Sequence, residues 1–142
     1  MKADNKGVRR ASLRACPPPR GTSRTGDAPP APKDSYFEGR LDLNQYLIKH
    51  PIATFYVRVS GDSMTGAGIQ PGSILVVDRA VEADDGDIVI ARIGDELCVK
   101  RLRLRRGRIW LMPENEKYQP IEVIESMDFE VWGRVMHSIR TY

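Results

Sequence analysis

The stretch Asp87-Ile88-Val89-Ile90-Ala91-Arg92-Ile93-Gly94-Asp95-Glu96-Leu97-Cys98-Val99-Lys100-Arg101-Leu102-Arg103-Leu104 decides the fold. Two apolar-rich runs are separated by Gly94-Asp95, a pair suited to the two-residue turn of a β-hairpin, so the chain doubles back here. Side chains alternate across a strand. In the second run Cys98, Lys100, Leu102 and Leu104 therefore share one face, and Val99, Arg101, Arg103 and Arg105 the other. Among the cationic residues of this strand only Lys100 lies on the apolar face, where burial disfavours its charge.

The same punctuation recurs on both sides of the hairpin. Residues 54–59 alternate as a strand and run into Ser60-Gly61-Asp62-Ser63-Met64, where Gly61 turns the chain and leaves Ser63 in a tight loop. Pro71-Gly72 turns into a strand over 73–78, and Arg106-Gly107 turns back into 108–112. Further strands are expected near 121–123 and over 129–139. Leu43, Leu47 and Ile48 follow Asp42, a suitable N-cap, at helical spacing, which predicts a short helix over 42–49 closed by His50-Pro51. Short strands with turn signals at this spacing predict a mainly β domain over 41–142, partly closed into a barrel, with a short N-terminal helix.

Residues 1–40 differ in kind. The first 34 or so hold six of the ten prolines and few large apolar residues, too little to offset their ordering entropy, so an extended, disordered arm is expected. Nine Lys/Arg against four Asp/Glu make it basic, leaving the rest of the chain at −2. No apolar run approaches the roughly 18–20 residues of a membrane span, and the N-terminus lacks a secretory apolar core, so cytoplasmic residence is expected. Cys16 and Cys98 make neither a disulfide framework nor a zinc site; Cys98 reads as a small core residue. His50 and His137 read as structural or solvated.

Ser63 and Lys100 are the candidates for chemistry. A serine hydroxyl becomes a useful nucleophile when a base takes its proton, and a neutral lysine amine is such a base. An arginine is not, because its guanidinium stays protonated. From the residues alone, a turn serine and a snorkelling lysine explain the same pattern. The row Arg101, Arg103 and Arg105, with Arg106 and Arg108, reads as a solvated edge that discourages aggregation, or as a docking face for DNA or an acidic partner.

Resemblance separates these alternatives. From Arg40 onward the chain resembles the LexA/UmuD group of self-cleaving serine peptidases. The resemblance rests on Leu41-Asp42-Leu43-Asn44-Gln45, Ser60-Gly61-Asp62-Ser63-Met64, Gly72-Ser73-Ile74-Leu75-Val76-Val77-Asp78, Gly86-Asp87-Ile88-Val89-Ile90-Ala91 and Val99-Lys100-Arg101-Leu102. The run Asp42 to Gln45, and the lack of a helix-turn-helix in the proline-rich arm, point to the UmuD branch rather than to a repressor. The resemblance implies Ser63 as nucleophile and Lys100 as general base, with no metal or organic cofactor. The backbone N–H groups of Asp62, Ser63 and Met64 are the natural oxyanion donors. It implies too that the arm is the substrate, cut at Thr25-Gly26 as the best-placed bond, although this is not the family's usual dipeptide. The implied partners are a second copy in a homodimer, the RecA–single-stranded-DNA filament as activator, and a UmuC-type lesion-bypassing DNA polymerase in the SOS response. A non-enzymatic DNA- or protein-binding module is the alternative.

Overall fold

The computed structural model describes residues 2–4 and 39–142. Seven strands make up the body: β2 (Thr54–Ser60), β3 (Ile74–Asp78), β4 (Ile88–Ile93), β5 (Glu96–Arg105), β6 (Arg108–Met112), β7 (Ile121–Val123) and β8 (Phe129–Ile139). A short strand β1 (Lys2–Asp4), from the segment assigned to the arm, joins them. All pairings are antiparallel, in the order β1-β2-β3-β8-β4-β5-β6-β7. Because β1 also pairs with β5 at Lys2↔Cys98, the strands β1, β2, β3, β8, β4 and β5 form a ring, closed at that seam by one residue pair. This is the partly closed barrel expected, with β6 and β7 extending the sheet beyond it.

The two hairpins form where the turn residues placed them. Ile93 pairs with Glu96 around Gly94-Asp95, and Arg105 with Arg108 around Arg106-Gly107. Arg106 and Gly107 both have positive φ, 50° and 73°, which suits the right-handed twist of the flanking strands. The helix α1 (Leu43–Leu47) is shorter than expected, although Asp42 caps it by accepting from the Asn44 N–H at 3.0 Å. None of its residues is buried, so no packing extends it into a longer segment.

Two apolar clusters hold the body. One gathers Val57, Val59, Met64, Ile69, Leu75, Val77, Ile90 and Val99; the other Val89, Ala91, Leu102 and Leu111. Strand β5 feeds both, and this corrects the single apolar face read from its sequence. Val99, assigned outward, is fully buried in the first cluster, while Leu102 on the opposite face enters the second. The solvated-edge reading of the arginine row also fails, since β5 lies between β4 and β6. His50 is structural as expected: its Nδ1 lies 2.6 Å from the buried Asp78 carboxylate, whose other oxygen accepts from the Ala80 N–H.

Candidate active site

The serine loop grows from the end of β2. Gly61 leaves the strand at φ 93°, a left-handed conformation that glycine adopts without a Cβ penalty. The chain then passes through Asp62 and Ser63 into a 3-10 turn at Thr65–Ala67. Met64 is fully buried in the first cluster and draws its neighbour Ser63 inward. Ser63 is itself fully buried, and among the described residues its Oγ has no hydrogen-bond partner. That is uncommon, because an unmet buried hydroxyl costs about 1–3 kcal/mol.

Lys100 comes from β5, opposite Val89 of β4, and is 5% exposed. Its predecessor Val99 packs in the same cluster as Met64, so each candidate residue is held by an adjacent anchor in one core. Burial pushes the Lys100 amine below the ordinary lysine range, and the neighbouring Cys98 only partly opposes this. Burial likewise raises the Cys98 thiol, which favours its neutral form.

A third segment, residues 113–118, straps the loop to the strand. The Glu114 N–H donates to the Ser63 carbonyl at 2.8 Å, and the Glu114 carbonyl accepts from the Gly66 N–H at 2.7 Å. Asn115 Nδ2 donates to the Asp62 carbonyl at 2.9 Å. From β5, Arg101 binds the Glu114 carboxylate at 2.5 Å and the Gly86 carbonyl at 2.6 Å. Tyr118 places its ring centroid 5.5 Å from Lys100 Nζ and donates its hydroxyl to Asp62 Oδ1 at 2.5 Å. That hydrogen bond raises the pKa of the phenol. Glu114, Asn115 and Tyr118 were not candidates from sequence.

The strap leaves no room at Gly66, where a Cβ would lie 2.6 Å from the Glu114 carbonyl oxygen. Gly66→Ala is therefore expected to lower stability by about 1–3 kcal/mol, read as a lower urea midpoint with unchanged slope. A wild-type midpoint would mean that loop and strap part easily.

The other expected site groups fall as follows. Among the described residues the N–H groups of Asp62, Ser63 and Met64 meet no acceptor. Thr25 and Gly26, with the remainder of the arm from residue 5 to residue 38, lie outside the described residues. In the arginine row, Arg101 is engaged by Glu114, Arg108 lies 3.5 Å from Glu122 and Arg103 4.0 Å from Asp85. Among the described residues no cluster of His, Cys, Asp and Glu is arranged to hold a metal, and no helix is long and apolar enough to cross a membrane.

Comparison with known proteins adds a family to this geometry. Residues 23–136 match the model of the peptidase S24-like family. ImpA of Salmonella typhimurium is 57% identical over 112 residues, which cover 78% of this chain and 77% of ImpA. MucA of Escherichia coli is 44% identical over 112 residues, covering 78% and 75% of the two chains. The LexA repressor of Bordetella parapertussis is 48% identical over 87 residues, or 61% of this chain and 40% of the repressor.

Proposed function

The chain belongs to the peptidase S24-like family, the LexA/UmuD group of self-cleaving serine peptidases, and from that premise we propose that residues 41–142 are a peptidase domain acting on the chain's own basic segment, residues 1–40. Ser63 is the nucleophile and Lys100 its general base. One observation carries this reading: a buried, unpartnered hydroxyl and a buried lysine with a disfavoured charge are anchored through Met64 and Val99 in one cluster. Both candidates remain without a mutual hydrogen bond here, a contact that substrate-free sites commonly leave open.

The neutral Lys100 amine takes the Ser63 Oγ proton as that oxygen bonds to the scissile carbonyl carbon. Charge then develops on the carbonyl oxygen, and the unengaged N–H groups of Asp62, Ser63 and Met64 offer donors for it. As the C–N bond breaks, the Lys100 ammonium returns the proton to the departing amine, and water hydrolyses the resulting ester by the same route. Tethering supplies a high local concentration of the segment, so affinity for a free peptide is not required. The bond is Thr25-Gly26. The family resemblance extends the reading to a cytoplasmic homodimer of the SOS response, activated by the RecA–single-stranded-DNA filament and serving a UmuC-type lesion-bypassing polymerase once shortened.

Incubation of the purified chain tests this by intact mass. A product beginning at Gly26 is expected, formed faster as pH rises from 7 toward 10, with close to a tenfold gain per pH unit while the amine is mostly protonated. A pH-independent rate would remove lysine as the base, and a different product mass would move the bond.

A further inference from the structure

Tyr118 occupies a position that the proposed chemistry does not use. It is 39% exposed, yet its ring stands against the amine of a lysine that is only 5% exposed, so the ring lies on the solvent side of Lys100. Its hydroxyl is fixed to Asp62, next to Ser63. The two ends of one side chain thus meet the base and the nucleophile loop. We propose that Tyr118 is a positioning residue: its ring, pinned by the bond to Asp62, shields the Lys100 amine from water and keeps it next to the serine loop. This rests on the peptidase reading above and adds what makes the base competent.

Two effects of the ring oppose each other. An aromatic face near an ammonium favours the charged form. Excluding water disfavours that form, and for a buried lysine this is the larger effect. Geometry favours shielding: Lys100 is only 5% exposed with the ring centroid 5.5 Å from its Nζ, and the burial-driven fall of the lysine agrees with this. Among the described residues the groups facing the amine are few. From β5 there is the Cys98 thiol, itself raised by burial; from β4, the uncharged Val89; from the strap, Tyr118. Asp62 stands behind the phenol that binds it, and Arg101 and Glu114 neutralise one another.

Two measurements test the proposal. The first follows the titration of the Lys100 side chain by NMR, with 13C-labelled lysine, in full-length Ser63→Ala protein so that no cutting interferes. Tyr118→Ala is expected to move the midpoint upward toward an ordinary lysine; Tyr118→Phe, which keeps the ring but loses the tether, moves it in the same direction and less. The second follows self-cleavage with Ser63 intact: Tyr118→Ala slows it on the order of tenfold at pH 7 and regains rate at higher pH. An unchanged or lowered Lys100 midpoint in Tyr118→Ala overturns the shielding role, and a lowered one assigns the ring to cation–π stabilisation instead. Should Tyr118→Ala fail to fold, an unmoved midpoint in Tyr118→Phe overturns the tether. The titration reads Lys100 whether or not the chain cuts itself. Parent protein that stays full length therefore sinks the peptidase reading alone, and Ser63-dependent cutting with an unmoved midpoint sinks only the role of Tyr118.

Discussion

Ser63→Ala leaves the chain at full length under alkaline conditions that shorten the parent, a loss of at least about a thousandfold in rate, and Lys100→Ala does the same. The neighbouring hydroxyls are placed differently: Ser60 ends β2, and Thr65 lies in the 3-10 turn, where its Oγ1 accepts from Asn115 Nδ2 at 3.4 Å. Lys100→Arg is equally inactive, although it keeps the charge and much of the length, because guanidinium holds its proton at every accessible pH. The double variant loses no more than either single one, since nucleophile and base act as one unit. Intact mass after incubation decides each case. Cleavage surviving in Ser63→Ala would assign the shortening to a contaminant or to another residue. The contrast also separates the peptidase from a DNA- or protein-binding module that uses the basic arm and the arginine row. A module with an inert Ser63 and Lys100 shows no shortening in the parent either, and three arginines of its row stand at carboxylates.

Strand β5 shows how far local pattern reaches. Its alternation put Lys100 on the face of Cys98 and Leu102, and the turn at Gly94-Asp95 gave its register with β4, because both are properties of a dozen adjacent residues. The same alternation misassigned Val99. Whether the second face is also covered depends on β2, β3 and the serine loop, which come from 21 or more positions away in the chain. Ser63 was legible as a turn residue two positions after a glycine, but its burial follows from Met64 entering the core, which a turn pattern does not reveal. The strap was not legible at all. Glu114, Asn115 and Tyr118 contact residues 50 or so positions earlier by backbone groups and single side chains, with no periodicity to announce them. The shortfall in α1 has the opposite cause. Its cap was readable from Asp42, while its length required a buried face that it does not have.

Lys100→Met, made in the Ser63→Ala background to exclude cutting, is expected to be more stable than its parent at pH 7, by about 1–2 kcal/mol in urea unfolding. Methionine fills a similar volume with no charge to desolvate, and among the described residues only an aromatic face meets the ammonium. The pH dependence follows from the direction of the Lys100 shift. Its folded pKa lies below its unfolded one, near 10.4, so between the two values unfolding takes up a proton and stability rises with pH. The penalty of the buried charge is present in full below the folded pKa and disappears above the unfolded one. The advantage of Lys100→Met should therefore be greatest at neutral pH and close as pH approaches 10 to 11. Burial raises the Cys98 thiol and the Lys100 charge pulls it back down, so both proteins carry Cys98→Ala to keep its titration out of the difference. A gap that stays constant with pH, or a Lys100→Met protein less stable than its parent at pH 7, would mean that the amine is well solvated in the folded state. Lysine would then have no reason to be neutral at working pH, and the base would have to be sought elsewhere.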